Sequence, residues 1–162
     1  MLPLVAMQFT DEVNWDETDF IVAGAMLLAA CGTYELAARL TGSTAYRAAA
    51  GVAVVTAFVL VWINLAVGIF GSEDNPANLM FGGVLAVGAI GALVARFRAG
   101  AMARALEATA LAQALIAVIA LIAGFGGTVL LAAFFAVPWL ASAQLFRIAA
   151  REQGSGGRSP VG

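Results

Sequence analysis

Three polar side chains lie inside apolar stretches of this sequence, where they could pass protons or hold an ion: Glu35, Glu107 and Gln144. Each lies about five residues from one end of its stretch, which is roughly 7 Å at the rise of an α-helix. One interpretation is therefore a proton or ion relay at the mouth of a pathway. The other is local charge pairing along a helix, Glu35 with Arg39 and Arg104 with Glu107, at spacings of four and three residues. We favour local pairing.

Asn64 is a further candidate, because it is an amide near the end of another apolar stretch. An unpaired amide is costly in an apolar environment. The sequence therefore predicts a hydrogen bond from Asn64 to a neighbouring helix, usually worth about 0.6 kcal/mol between membrane helices. A binding role in a polar path is the alternative.

The segment after Asn64 carries Glu73, Asp74, Asn75 and Pro76 in succession. Asn75 followed by Pro76 is typical of a helix start, with Asn75 as N-cap and Pro76 as the first helical residue. The two carboxylates could also bind a polar headgroup or a weakly held cation, although the segment lacks the ligand spacing of a calcium loop. Capping and solvation are the favoured roles.

Several residues are expected to shape helices and to take no part in chemistry. Pro138 falls within an apolar stretch and should kink its helix, because proline leaves the carbonyl of Phe134 without its usual donor. Small residues recur every fourth position, which lets helix backbones approach closely. These rows are Gly88–Ala92, Gly91–Ala95 and Ala49–Ala53–Ala57.

The elements that must position these residues follow from composition. Of 162 residues, 62% are hydrophobic and only 11% are charged, whereas a soluble domain is about one-quarter charged. Five apolar segments are each long enough to cross a hydrocarbon core of about 30 Å. We therefore predict an all-α bundle of five transmembrane helices in a single domain, 1–150, followed by a disordered cytoplasmic tail, 151–162. The predicted helices cover about 20–40, 47–70, 78–97, 102–123 and 128–148.

All eight basic residues are arginines, and they fall near alternate ends of the five segments. Five spans place every arginine on one side of a membrane, which by the positive-inside rule is the cytoplasmic side. The chain is thus predicted to be a multi-pass protein of a bacterial cytoplasmic (inner) membrane, with its N-terminus outside and its C-terminus inside. The arginines are Arg39, Arg47, Arg96, Arg98, Arg104, Arg147, Arg151 and Arg158.

Two longer-range patterns bear on ancestry. Residues 36–57 align with residues 93–114. In both segments an Ala-Arg pair precedes an Arg-Ala pair by the same number of residues. That pattern is either a parallel repeat, as in some transporters, or the ordinary likeness of alanine-rich hairpins, which we favour. Residues 35–51 (ELAARLTGSTAYRAAAG) and 62–114 resemble a group of small, uncharacterised bacterial polytopic inner-membrane proteins. The resemblance implies a polytopic membrane protein and carries no activity or site residue.

The sequence contains no histidine, no phosphate-binding loop and no nucleophile paired with a base. We therefore expect neither an enzyme nor a cofactor, metal or nucleic-acid binder. The favoured hypothesis is a non-enzymatic accessory or scaffolding subunit that contacts the lipid bilayer and assembles with itself or with a larger membrane complex. The alternative is a small transporter or channel whose polar path involves Asn64, Glu35 and Glu107.

Overall fold

A computed structural model describes residues 17–66 and 76–157 of the chain. The described residues form five α-helices, and a short 3-10 turn, Pro76–Asn78, leads into the third. Each of the five is long and apolar enough to cross a membrane, counting the 3-10 turn with the third helix. The all-α class and the number of helices are confirmed. The helices are α1 (Glu17–Arg39), α2 (Thr44–Ala66), α3 (Leu79–Val94), α4 (Ala99–Ile122) and α5 (Gly126–Gly156).

The largest departure from the predicted boundaries is in α5, which continues to Gly156 instead of ending near Ile148. The tail that was predicted to be disordered from Arg151 is therefore helical over its first six residues, 151–156, and 158–162 lie outside the described residues. The segment from Ala149 to Gln153 consists of good helix formers, which outweigh the glycines that follow. At 31 residues, α5 is about 46 Å long.

The helices pack in the order α1, α2, α5, α4, α3, so the chain order is not the spatial order. The most extensive contacts are between α4 and α5, followed by α2 with α5, α3 with α4 and α1 with α2. Helices α2 and α3 touch only slightly, and α1 and α3 have no extensive contact. The five helices therefore form an arc whose two ends are α1 and α3.

Small residues fill the interior of the arc, and bulky aliphatic residues face outward. Alanine makes up more than half of the buried apolar residues, whereas Leu28, Val94, Ile122 and Leu130 are each more than three-quarters exposed. Packing through small residues lets helix backbones approach closely, as is typical of helices that associate in lipid. A fully aqueous surround would leave these aliphatic side chains in contact with water.

The arginine-bearing ends of the helices lie together at one end of the bundle. The Tyr46 hydroxyl at the start of α2 donates a 2.6 Å hydrogen bond to the carbonyl of Phe97, between α3 and α4. Ser43, before α2, donates a 2.8 Å hydrogen bond to Glu152 near the end of α5. These two bonds join the α1–α2 connection to the α3–α4 connection and to the extension of α5. We call the end of the bundle that contains these three regions the arginine end.

Candidate functional site

The concave side of the arc encloses a cavity of about 380 Å³, which is within the size range of small-molecule sites. We call it the arc cavity. All five helices contribute to its wall, for example through Ala30 of α1, Ala53 of α2, Ala89 of α3, Met102 of α4 and Trp139 of α5. Ala89 is exposed and Ala30 is half-buried, so the wall is incompletely covered at both ends of the arc.

The helices present regular faces to the arc cavity. The contribution of α1 runs from Met26 through Ala30 and Thr33 to Ala37, and that of α3 from Leu85 to Ala92, both at intervals of three and four residues. Such spacing places side chains on one face of a helix. Because α1 and α3 are the unjoined ends of the arc, these two faces border the open side of the cavity.

The wall of the arc cavity is almost entirely apolar, and two of its polar side chains are already bonded. The Thr33 hydroxyl donates to the Ala29 carbonyl of its own helix at 2.7 Å, and the Tyr46 hydroxyl donates to Phe97. The indole nitrogen of Trp139 is buried without a hydrogen-bond partner among the described residues. The arc cavity therefore suits a hydrocarbon guest and offers few partners to a polar one.

At the arginine end, the wall of the arc cavity is formed by a strained turn. Arg96 and Phe97 have φ of 48° and 57°, in the left-handed region that residues other than glycine rarely occupy. Phe97 lines the cavity. Its amide donates to Ala92, and its carbonyl accepts from Tyr46. Two adjacent residues in this conformation cost of order 1–3 kcal/mol each, and the hydrogen bonds around Phe97 hold them there.

The predicted pair of Glu35 and Arg39 is confirmed. Arg39 Nε lies 2.8 Å from Glu35 Oε1, and both side chains are largely exposed. The pair lies on α1 with no other helix involved in it. An exposed ion pair of this kind contributes little to stability, and Glu35 does not line the arc cavity.

The predicted pair of Arg104 and Glu107 is wrong, because Glu107 pairs instead with Arg147 of α5. Arg147 Nη2 lies 2.5 Å from Glu107 Oε1. That oxygen accepts no hydrogen bond from the described residues, so the interaction is a charge contact. Arg147 also donates to Gln144 at 3.5 Å. The carboxylate of Glu107 turns toward α5 because α4 and α5 share the largest helix interface.

Asn64 also differs from its prediction. Its side-chain amide donates to the Leu60 carbonyl of the same helix at 2.8 Å, so the hydrogen bond is within α2 and not between helices. Its carbonyl oxygen is buried with no hydrogen-bond partner among the described residues. Neither Asn64 nor Glu107 lines the arc cavity, and the structure does not bring Asn64, Glu35 and Glu107 together.

The glycines that were expected to let helices approach closely do so within the chain, whereas the kink expected at Pro138 stays a prediction. A β-carbon at Gly88 would lie 3.3 Å from Thr109 Oγ1, and one at Gly91 would lie 2.8 Å from the β-carbon of Ala105. These glycines therefore bring α3 close to α4 within one chain. Pro138 lies inside α5, which continues on both sides of it. Glu73, Asp74 and Asn75 lie outside the described residues, and Pro76 begins the 3-10 turn before α3.

Sequence reasoning missed four buried polar residues that join helices or line the cavity: Tyr46, Gln113, Trp139 and Ser142. Ser142 of α5 donates to the carbonyl of Ala49 in α2 at 2.7 Å. Gln113 of α4 is fully buried and donates to the carbonyl of Ala132 in α5 at 3.2 Å. A polar residue among small apolar ones in a helix interior is a usable signal, and Gln113 shows it most clearly.

No three described side chains among the cysteines and acidic residues come together to hold a metal ion. The arc cavity, bounded at the arginine end by Tyr46 and Phe97, is thus the principal site. No protein-family model, curated protein or solved structure matches this chain. The resemblance noted from the sequence therefore stays a prediction, and the geometry alone bears on function.

Proposed function

We propose that this chain is a non-enzymatic accessory protein of a bacterial cytoplasmic membrane that holds the hydrocarbon chain of a lipid in the arc cavity. The observation that carries the proposal is an apolar cavity of about 380 Å³ that all five helices line, and that is incompletely covered at α1 and α3, which have no extensive contact with each other. In a bilayer, lipid chains surround such an opening at high concentration, and filling an apolar void recovers dispersion contacts.

The proposed orientation places the arginine end in the cytoplasm and the start of α1 outside. The arginines near the α1–α2 connection, the α3–α4 connection and the end of α5 support it, because the contacts of Tyr46 and Ser43 gather these three regions. Basic residues on one side of a bundle orient it with that side inward.

The orientation can be tested with cysteines at each end in a Cys31→Ser background. Thr18→Cys should react with an impermeant maleimide in intact cells, and Ser159→Cys should react only after permeabilisation. The opposite pattern would invert the proposed topology. Reaction of both in intact cells would contradict an odd number of spans.

Occupation of the arc cavity can be tested by fluorescence quenching. Trp139 is the sole tryptophan in a Trp15→Phe, Trp62→Phe background, and it is only 3% exposed. Lipids brominated along the acyl chain should quench it in vesicles, because a chain in the cavity contacts the indole. Ala89→Phe fills the opening and should relieve quenching, whereas Ala114→Phe, on the outer face of α4, should not. Fluorescence unaffected by brominated lipid would overturn the proposal.

The transporter alternative receives less support from the geometry. Its polar path required Asn64, Glu35 and Glu107 to face a common space, but each has a partner on its own helix or on one neighbour. The small-residue rows of α3 are also occupied within the chain by α4, so they do not argue for self-assembly. Both points favour the arc cavity, over a polar path or a self-association surface, as the functional site.

A further inference from the structure

We infer that a second cavity, between the start of α4 and the end of α5, binds the phosphate group of a phosphate monoester. This cavity has a volume of about 590 Å³, and its polar wall residues are Arg98, Arg104 and Gln153. The rest of its wall consists of alanine and glycine. We call it the α4–α5 cavity. It is independent of the proposed function, because no residue lines both this cavity and the arc cavity.

The spacing of residues on two packed helices forms the α4–α5 cavity. Gly100 and Arg104 are four residues apart on α4, and Ala150 and Gln153 are three residues apart on α5. Each pair therefore lies on one face of its helix. The two helices approach closely at the small residues, since a β-carbon at Gly100 would lie 3.8 Å from the β-carbon of Ala150. The small residues leave the space, and the longer polar residues border it.

The two arginines of the α4–α5 cavity have no carboxylate partner. Neither Arg98 nor Arg104 forms an ion pair with any residue that the structure describes. Glu107, one turn from Arg104, pairs instead with Arg147, and Glu152 accepts a hydrogen bond from the α1–α2 connection. The cavity wall therefore carries two uncompensated positive charges. They match the nearly two negative charges of a phosphate monoester at neutral pH.

The polar groups that border the α4–α5 cavity are rich in hydrogen-bond donors. An arginine donates two parallel hydrogen bonds to a phosphate, and the side-chain amide of Gln153 can donate another. Arg98 is also the N-cap of α4, and the first turn of this helix has neither a side-chain cap nor an acidic residue. The main-chain amides of that turn add to the donors of the three side chains. A phosphate monoester offers three terminal oxygens to these donors, whereas a carboxylate offers two.

The test is ligand binding by the full chain, purified in a maltoside detergent and titrated in a calorimeter. The probes are glycerol phosphate, which is a soluble monoester, dihexanoyl phosphatidic acid, which is a lipid monoester, and dihexanoyl phosphatidylglycerol, which is a lipid diester. Phosphatidic acid should bind about fivefold more tightly than phosphatidylglycerol, or better, because its headgroup carries additional negative charge. Comparable binding of glycerol phosphate would identify a soluble phosphate ester as the ligand, whereas binding of phosphatidic acid alone would identify a lipid headgroup.

Two double variants with the same loss of charge locate the binding. Arg98→Gln with Arg104→Gln should weaken binding of the monoester by about tenfold or more, because charge-assisted hydrogen bonds to phosphate are lost. Arg47→Gln with Arg151→Gln removes two exposed arginines that do not line the α4–α5 cavity and should have little effect. Gly100→Leu fills the space between α4 and α5, keeps every arginine and should also prevent binding. No binding by the wild type, equal binding of the two lipids, or equal losses in the two double variants would overturn the inference.

Variants of the arc cavity separate this inference from the proposed function. Ala89→Phe fills the arc cavity and should leave binding of the monoester unchanged, so failure of one proposal does not entail failure of the other. Circular dichroism and elution volume of each variant confirm that the bundle has folded. If Gly100→Leu does not fold, the two double variants decide the outcome.

Discussion

The hydroxyl of Tyr46 and the main-chain carbonyl of Phe97 are 2.6 Å apart and connect two helical hairpins. Tyr46 is 2% exposed, and Phe97 lies in a conformation that its side chain disfavours. One hydrogen bond therefore holds α2 against the connection between α3 and α4. It also forms the wall of the arc cavity at the arginine end.

Tyr46→Phe should destabilise the chain by about 1–2 kcal/mol, because it leaves the partly buried carbonyl of Phe97 without its donor and releases the strained turn. The measurement is unfolding of the purified protein in mixed micelles. Tyr34→Phe on α1 removes a hydroxyl for which the structure shows no hydrogen bond, and it should have little effect. Equal losses in the two variants would mean that the contact with Phe97 is unimportant.

Gly91→Ala should cost about 1–3 kcal/mol, because its new β-carbon would meet the β-carbon of Ala105 at 2.8 Å and force α3 away from α4. Gly83→Ala on the same helix is the matched control, since its β-carbon would have no atom within 4 Å. That change should be neutral or should stabilise the helix by about 0.5–1 kcal/mol. Unfolding curves that rank the variants in the opposite order would contradict the close packing of α3 on α4.

A double-mutant cycle on Glu107 and Arg147 should give a coupling energy of about 0.5–1 kcal/mol. The value is modest because the side chains are 29% and 47% exposed and water screens the charges. The cycle on Glu107 and Arg104, the pair that the sequence favoured, should give a coupling near zero. Glutamine replaces each residue in both cycles. Coupling found only between Glu107 and Arg104 would show that Glu107 pairs within α4 and not with α5.

Gln113→Met should leave stability unchanged or raise it by about 1 kcal/mol. Its side-chain oxygen is buried without a hydrogen-bond partner in the described part of the chain, so methionine removes an uncompensated polar atom and keeps the volume. Ser142→Ala should instead cost about 0.6 kcal/mol and at most about 2 kcal/mol, because Ser142 donates a short hydrogen bond to α2. If Gln113→Met is the more damaging change, its amide has a role that the structure does not show.

Features that depend on one helix could be predicted from the sequence. Glu35 and Arg39 are four residues apart, and helix geometry alone brings them together. The partner of Glu107 could not be predicted, because both Arg104 and Arg147 are within reach and the choice depends on how α4 faces α5. Asn64 was assigned to another helix, although a carbonyl one turn back was available in α2. Helix geometry therefore determines the partners of Glu35 and Asn64, whereas tertiary packing determines the partner of Glu107.

The arc cavity could not be predicted, since it results from two helices, α1 and α3, that have no extensive contact with each other. Hydrophobic periodicity shows which face of a helix is apolar, but not whether α1 and α3 meet. The small-residue rows of α3 indicated close packing. On α3 that packing exists, between Gly91 and Ala105, whereas the face from Met26 to Ala37 on α1 borders open space. Small residues thus form a tight interface with α4 on α3 and part of the wall of the arc cavity on both α1 and α3.

The position of α5 in the arc bears on how the protein is made. Helices α1 and α2 form one hairpin and α3 and α4 another, and these hairpins touch each other only slightly without α5. Because α5 is the last of the five helices to leave the ribosome, the earlier four can form only two loosely associated pairs until it is made. A chain that stops before Gly126 should therefore remain unassembled and be degraded by proteases.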